Sequence, residues 1–293
     1  MPAPEITIIG VGGLGKSLAR ALSAADIPLK SVFNRTADKA EKLAVELDVN
    51  ISGSFPSDSD ELGNLTFITV SDSAINEVVE GLTAIPGDFE SKTIVHCSGN
   101  ESASILKPLK LKGGIVASFH PLQTFTDDSG SSADFEDIYF SIQGDEYAFP
   151  LLKEIAQKLG AHTLEVTESQ KSHLHAAAVM ASNYLNTLLN AAVEIASASD
   201  LAPEEAKKAL LPLVTTTLQN IESQSFQEAL SGPIKRGDVK TVEQHLSLIK
   251  DKPELITLYR TLGQMTAVNA RKYQHIDQET VKKILNMLKN SHG

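Results

Sequence analysis

One cysteine, Cys97, stands in a chain of 293 residues, so no disulfide can form within the chain and a reducing compartment is expected. It closes the apolar run Thr93-Ile94-Val95-His96, where a buried structural thiol is the plain reading. The opening Met1-Pro2-Ala3-Pro4-Glu5 lacks the basic and apolar regions of a signal peptide, which predicts a cytoplasmic protein. A bilayer-length apolar run is missing too. The longest apolar stretch, 174–198, is interrupted by His175, Asn183, Asn186, Asn190 and Glu194, so no membrane partner is expected. With a net charge of −11 and no lysine/arginine block, the chain has no footprint for a phosphate backbone, and nucleic acid is excluded as a partner. The histidines are scattered, and His173 and His175, two apart on a helix, point to different faces, so no metal set emerges. What remains is ordinary for a globular chain: 42% hydrophobic and 22% charged residues, enough for one or two domains with cores of their own.

The most informative segment lies near the first residue. Ile6-Thr7-Ile8-Ile9 leads into Gly10-Val11-Gly12-Gly13-Leu14-Gly15, and a helical pattern follows. The first glycine of such a Gly-x-Gly-x-x-Gly turn makes the strand-to-helix bend. The second has no side chain to block a pyrophosphate, and the third lets helix and strand pack closely, while free N–H groups face the anion. A strand before and a helix after supply the context that separates dinucleotide binding from a bare tight turn.

Short apolar runs alternate with amphipathic stretches up to about residue 166. Strands are expected at 5–9, 31–33, 66–70, 93–97, 115–119, 138–143 and 162–166, and helices at 14–25, 37–47, 72–82 and 147–159. Several of these strands are apolar throughout, as befits strands covered on both faces. The pattern predicts an α/β N-terminal Rossmann domain, residues 1–166, with a mostly parallel sheet and ligands at the carboxyl ends of its strands. Strand signals then vanish. A helix is expected from about Glu168 to Ser199, another from Pro203, and others at 239–249, 253–272 and 278–290, making residues 167–293 an all-α C-terminal domain for substrate binding and dimerisation. Residues 127–134 form a polar loop, and Asp238 and Asp277 suit helix N-caps.

An NAD-binding fold places an acid about 20 residues beyond the glycines to accept from the ribose 2′-hydroxyl. Here Asn34-Arg35-Thr36 occupies that place. A carboxylate there would repel a 2′-phosphate, whereas Arg35 can fork onto one and Thr36 can donate to it, which points to NADP. The plain alternative has Arg35 solvated and Thr36 capping the next helix. Ser71, after the strand expected at 66–70, completes the expected cofactor set.

With these motifs the chain resembles the 6-phosphogluconate-dehydrogenase-like proteins, which include pyrroline-5-carboxylate reductase and prephenate dehydrogenase. It is most similar to a branch described as Rossmann-like NADP oxidoreductases with a helical C-terminal domain of unknown function. The signatures are Val70-Ser71-Asp72-Ser73-Ala74-Ile75, Val95-His96-Cys97-Ser98-Gly99, Ser118-Phe119-His120-Pro121-Leu122-Gln123-Thr124-Phe125, His175-Ala176-Ala177-Ala178, Ala181-Ser182-Asn183-Tyr184 and Gly232-Pro233-Ile234-Lys235-Arg236-Gly237-Asp238. The resemblance implies a homodimer. Hydroxyacid dehydrogenases of the superfamily carry a catalytic Lys four residues before an Asn on the long helix. Counted back from Asn183, that position is Val179, so the expected ammonium acid is absent there.

Hydride transfer at a carbon bearing oxygen or nitrogen needs a proton partner. His120 is the leading candidate, because it follows an apolar strand and precedes a proline, and prephenate dehydrogenases carry a similar His-Pro. Ser98 can hold the nicotinamide ribose or the reacting heteroatom, or cap the following helix. His175 and Asn183, with Val179 between them, share a helix face that lines an interdomain cleft or a dimer core. Lys171, one turn before His175, is a proton source or a solvated cation. Arg236 clamps a substrate carboxylate or makes an intersubunit ion pair. The expectation is an NADP-dependent oxidoreductase acting on a small, anionic metabolite in an interdomain cleft. Its alternatives are a non-catalytic NADP sensor or scaffold and a cyclic-imine reductase.

Overall fold

The computed structural model describes residues 4–125 and 132–289, which form two compact units, Met1–Ser182 and Asn183–Gly293. The first contains one eight-stranded sheet. Its strands are β1 (Ile6–Ile9), β2 (Leu29–Phe33), β3 (Ile51–Gly53), β4 (Leu65–Ile68), β5 (Thr93–His96), β6 (Ile115–Pro121), β7 (Tyr139–Gly144) and β8 (His162–Glu165). They lie in the order β3-β2-β1-β4-β5-β6-β7-β8, all parallel to their neighbours except the antiparallel pair β6 and β7. β1, β4 and β5 are buried at every position. That is why they read as unbroken apolar runs: helices cover both faces of the sheet. β3 escapes notice in the sequence because it has three half-buried residues and no pattern to show.

The helices of this unit are α1 (Gly13–Ala24), α2 (Ala37–Glu46), α3 (Asp72–Ala84), α4 (Lys107–Leu111), α5 (Phe149–Lys158) and α6 (Glu168–Ala181). Two apolar layers sandwich the sheet. One gathers Leu18, Leu22, Phe67, Phe119, Phe140 and Leu152, the other Ile68, Ile75, Val79, Leu82 and Leu109. Each such side chain contributes about 1.5–3 kcal/mol by leaving water, which fixes the helices over the sheet. Of the polar loop expected at 127–134, residues 127–131 lie outside the described residues, and Ser132–Phe135 forms a 3₁₀ turn.

The second unit, among its described residues, is built from α7 (Asn183–Ala196), α8 (Pro203–Ser223), α9 (Phe226–Ala229), α10 (Val239–Leu248), α11 (Pro253–Lys272) and α12 (Gln278–Leu288). Ile234, Val242, Leu246, Ala267, Ile284 and Leu288 form its core. Asp238 caps α10 by accepting from the Thr241 N–H at 3.1 Å, and Asp277 caps α12 by accepting from the Thr280 N–H at 2.8 Å. α8 is nearly bare. Ala206 is its buried residue, while Leu211, Leu213, Leu218 and Ile221 are exposed.

The single helix expected from Glu168 to Ser199 is in fact two, broken at Ser182, whose backbone sits at φ −117°, ψ −71°. Ser and Asn side by side compete for backbone hydrogen bonds and weaken a helix at that point. The face expected to carry His175, Val179 and Asn183 together is therefore interrupted, and Asn183 opens the second unit. The first compact unit also runs one helix past residue 166, taking α6 with it.

Candidate active site

β1, β4, β5 and β6 are parallel, so their carboxyl ends share one edge, and the chemistry-bearing residues of the first unit collect there. At β1, Gly10 has φ +112°, and a Cβ on it would press on the Thr69 and Val70 backbone at 2.9 Å. Gly15 lies so close to the Gly10 carbonyl that no side chain fits between helix and turn. Thr69 Oγ1 donates to that same carbonyl at 2.7 Å and fixes the turn. Gly12, the N-cap of α1, has open space where a side chain would be. Intrahelical bonding begins with Lys16 N–H to the Gly12 carbonyl, which leaves the amides of Gly13, Leu14 and Gly15 at the helix mouth with no acidic residue in the first turn. The Leu14 side chain packs on the core, so its share in a ligand site is its backbone.

A cleft of about 530 Å³ opens beside this turn. Gly10, Gly12, Asn34, Arg35 and Ser71 line it. Asn34 does more than face a ligand: its Oδ1 accepts from the Val11 N–H at 2.9 Å and its Nδ2 donates to the Thr36 carbonyl at 3.0 Å, bracing the glycine turn against the end of β2. Arg35 and Thr36 are exposed, and Thr36 is the N-cap residue of α2 without a side-chain cap bond. Ser71 is the N-cap residue of α3, its hydroxyl 3.2 Å from that of Ser73. Open backbone at Gly12, an anion-ready helix mouth and a cation at the rim suit a phosphorylated dinucleotide in both shape and charge.

Four strand-end residues meet α6 at the tops of β5 and β6. Lys171 is 2% exposed, and its Nζ donates to the Ser98 carbonyl at 2.6 Å and to Ser118 Oγ at 2.7 Å. Burial pulls its pKa down to about 8. Its placement follows from local chemistry. Thr167 and Gln170 form a reciprocal capping box that starts α6 at Glu168, so Lys171 sits in the first turn, where the helix dipole opposes a cation. A buried lysine in that turn needs a reason, and its oxygen partners supply one.

His120 lies within β6, paired with Ser141 of β7, and not in a loop beyond the strand as the His-Pro pair suggested. Its Nδ1–H donates to the Cys97 carbonyl at 2.9 Å, which leaves Nε2 with a lone pair. Burial lowers its pKa to about 4, the Lys171 and His175 charges adding to the effect. His175 stands edge-on to it, ring centroids 6.0 Å apart, with Nδ1 buried and without a partner among the described residues. Both imidazoles crowd Gly99: a Cβ there would lie 2.7 Å from His120 Nε2 and closer still to His175 Nδ1. Gly99 is glycine so that the two rings can converge.

Ser98 shapes a turn and caps no helix: its hydroxyl accepts from the Asn100 and Glu101 amides at 3.1 and 2.9 Å, and Ser102 is the cap of the 3₁₀ turn that follows. Its carbonyl is what meets Lys171. His96, fully buried, accepts from the Ser98 N–H at Nδ1 (3.2 Å), and burial followed by the Lys171 charge lowers its pKa to about 4. Cys97 is a buried thiol pushed up to about 12 by burial, consistent with a structural residue.

The structure therefore brings together His120, His175, Ser98 and Lys171, all candidates from the sequence, and adds His96, Gly99 and Ser118. Asn183 and Arg236 belong to the second unit, Asn183 exposed at the start of α7 and Arg236 exposed in the turn before α10. Counting from Asn183 put the expected lysine at Val179. The buried lysine of α6 is Lys171, one turn before His175. The capping box at Thr167 was the signal that could have placed it in the first turn of that helix. Among the described residues, no group of His, Cys, Asp and Glu could hold a metal ion, and no helix is long and apolar enough to cross a membrane.

Comparison with known families agrees with this geometry. A Rossmann-like domain is matched at residues 2–121, and a domain of unknown function, DUF2520, at residues 138–266. The chain joins a Rossmann-like domain to a DUF2520 domain. Among solved structures it is similar to a Bacteroides fragilis protein provisionally described as an NADP oxidoreductase (26% identity, TM-score 0.71, covering 90% of this chain and 98% of that one). A Thermotoga maritima protein is as similar (25% identity, TM-score 0.71, 92% and 99%). A reductive aminase from Aspergillus terreus, in complex with NADPH and ethyl levulinate, shares the fold (15% identity, TM-score 0.65, 96% and 98%). Fold relatives also include a pyrroline-5-carboxylate reductase and a prephenate dehydrogenase, the two enzymes that the sequence resemblance names. No curated protein matches the chain.

Proposed function

We propose that the chain is an NADP-dependent oxidoreductase acting on a small anionic metabolite whose reacting carbon bears oxygen or nitrogen. The carrying observation is Lys171, buried and tied to Ser98 and Ser118 beside His120, at the sheet edge that also bears the glycine turn. Bound nicotinamide supplies the hydride chemistry; the residues supply the rest. The amides of Gly13, Leu14 and Gly15 and the open face of Gly12 hold the pyrophosphate, with Gly10 making the turn beneath it. Arg35, with Thr36, meets the 2′-phosphate, and Ser71 lies along the cleft. Lys171 Nζ, a cation at neutral pH, is the proton donor to the substrate heteroatom. In the reverse direction the neutral amine of Lys171 takes that proton back, while His120 Nε2, neutral with its lone pair open, accepts a hydrogen bond from the N–H or O–H of the reduced substrate. With pKa values near 8 and 4, Lys171 carries the mobile proton and His120 stays neutral. His175 orients the substrate.

A buried Lys171 bonded to two oxygens favours turnover over a non-catalytic sensor. Imine reductases among the fold relatives favour cyclic imines as the first substrates to try. Exposed Leu188, Leu213, Leu218 and Met265 on the second unit support a homodimer, which sedimentation would test. The function is tested by following NADPH oxidation over a panel of cyclic imines, keto acids and, in reverse, hydroxy acids. Turnover on at least one, reduced at least ~100-fold by Lys171→Met with NADPH affinity kept, is expected. Tight NADPH binding with no turnover on any would favour the sensor.

A further inference from the structure

The cleft beside the glycine turn contains one carboxylate that phosphate groups would avoid. Of the residues lining it, Glu77 alone is acidic. It stands on α3, whose Ser71, Ala74, Val78 and Gly81 follow the three- and four-residue spacing of one helix face and all line the cleft. Glu77 is on the outer edge of that face and exposed. At 1.5 Å per residue it is about 9 Å along the helix from Ser71, well removed from the anion-binding mouth of α1.

The far end of the cleft has a different character from the mouth. Ala74 and Val78 give it an apolar wall. Phe55, also lining the cleft, packs its ring where a Cβ of Gly81 would fall, 2.7 Å from the nearest ring atom. A narrow apolar slot of this kind takes a flat aromatic ring edge-first. A dinucleotide whose pyrophosphate lies on the α1 mouth has its purine base left for this slot. The exposed edge of adenine carries a 6-amino group, a donor, and a carboxylate is an acceptor only.

We propose that Glu77 reads the base of the cofactor, its carboxylate accepting a hydrogen bond from the 6-amino group of adenine. This rests on the dinucleotide reading of the cleft and adds to it a discrimination that the glycine turn cannot make. A base with a carbonyl at the same position turns oxygen toward oxygen and is rejected.

Binding of NADPH and of nicotinamide hypoxanthine dinucleotide phosphate, reduced form, to the full chain tests this by fluorescence titration, without any turnover. The wild type is expected to hold NADPH about tenfold more tightly than the hypoxanthine analogue. Glu77→Gln keeps the size of the side chain but can donate as well as accept, so it is expected to bring the two affinities within about twofold of each other. Equal affinities in the wild type, or a preference for NADPH that survives Glu77→Gln, overturns the proposal while leaving the cofactor reading intact. Failure of both dinucleotides to bind overturns the cofactor reading and this inference with it.

Discussion

Lys171 gives the sharpest physical test, because its burial leaves a signature in the pH dependence of stability. Its pKa falls from the ordinary 10.5 to about 8, with burial as the main cause. That difference corresponds to about 3 kcal/mol between folded and unfolded chains. At 2% exposure, solvent screening does not reduce it much. The sign is that of a base with a lowered pKa. Below pH 8 both states carry the proton, and the folded state bears the full cost of a buried ammonium. Between pH 8 and 10.5 the unfolded chain keeps a proton that the folded one has lost, so stability rises with pH across that window. Lys171→Met removes the titration but leaves the Ser98 carbonyl and the Ser118 hydroxyl without their donor, at about 1–3 kcal/mol each. The two variants can thus have similar stability at pH 7, and the slope is the discriminating quantity. Urea unfolding of both at pH 7, 8, 9 and 10 is the assay. The difference, wild type minus Lys171→Met, should climb by up to about 1.4 kcal/mol per pH unit above pH 8, with other groups cancelling. A flat difference from pH 7 to 10 would refute the buried-ammonium account and with it the acid role of Lys171.

Three other outcomes follow from the same geometry. His120→Asn should lower turnover at least ~100-fold while NADPH affinity stays within about twofold, and unchanged turnover would remove His120 from the mechanism. Arg35→Ser should weaken NADPH by about tenfold or more and leave NADH nearly untouched; an equal loss for both would show that Arg35 meets no 2′-phosphate. Gly15→Ala drives a Cβ into the Gly10 carbonyl and Thr69 Oγ1, so a melting experiment should register a loss of about 2–3 kcal/mol, and a wild-type melt would mean that turn and helix can separate freely.

The parts of this chain legible in its sequence are those whose physics is local. A strand, three glycines and a helix dictate where N–H groups point within ten residues, and β1, the turn and α1 form where that pattern lies. The unbroken apolar strands likewise announce a sheet covered on both sides. Asn34 was legible in place but not in task, since its bond to Val11 joins residues 23 apart. Lys171 was the hardest to read. A lysine one turn into an amphipathic helix is normally solvated, and nothing near it in sequence says otherwise. Its oxygen partners are 73 and 53 residues away, one just after β5 and one on β6, and only the folded sheet edge assembles them. The break at Ser182 was equally hidden, because a helix assumed to be continuous put Asn183 on the face of His175.

That assembly also explains why the site keeps its basic groups in different states. His96, His120 and Lys171 crowd one sheet edge, and a charge on Lys171 lowers the proton affinity of both imidazoles. Burial disfavours the charged form of all three, but the oxygens around Lys171 Nζ stabilise an ammonium, whereas His96 accepts from an amide at Nδ1 and has no partner at Nε2 among the described residues. The charge therefore settles on Lys171, and the imidazoles stay neutral. The protonated and the neutral groups are distinguished by what each is bonded to, and the Ser98 carbonyl and the Ser118 hydroxyl determine which is which.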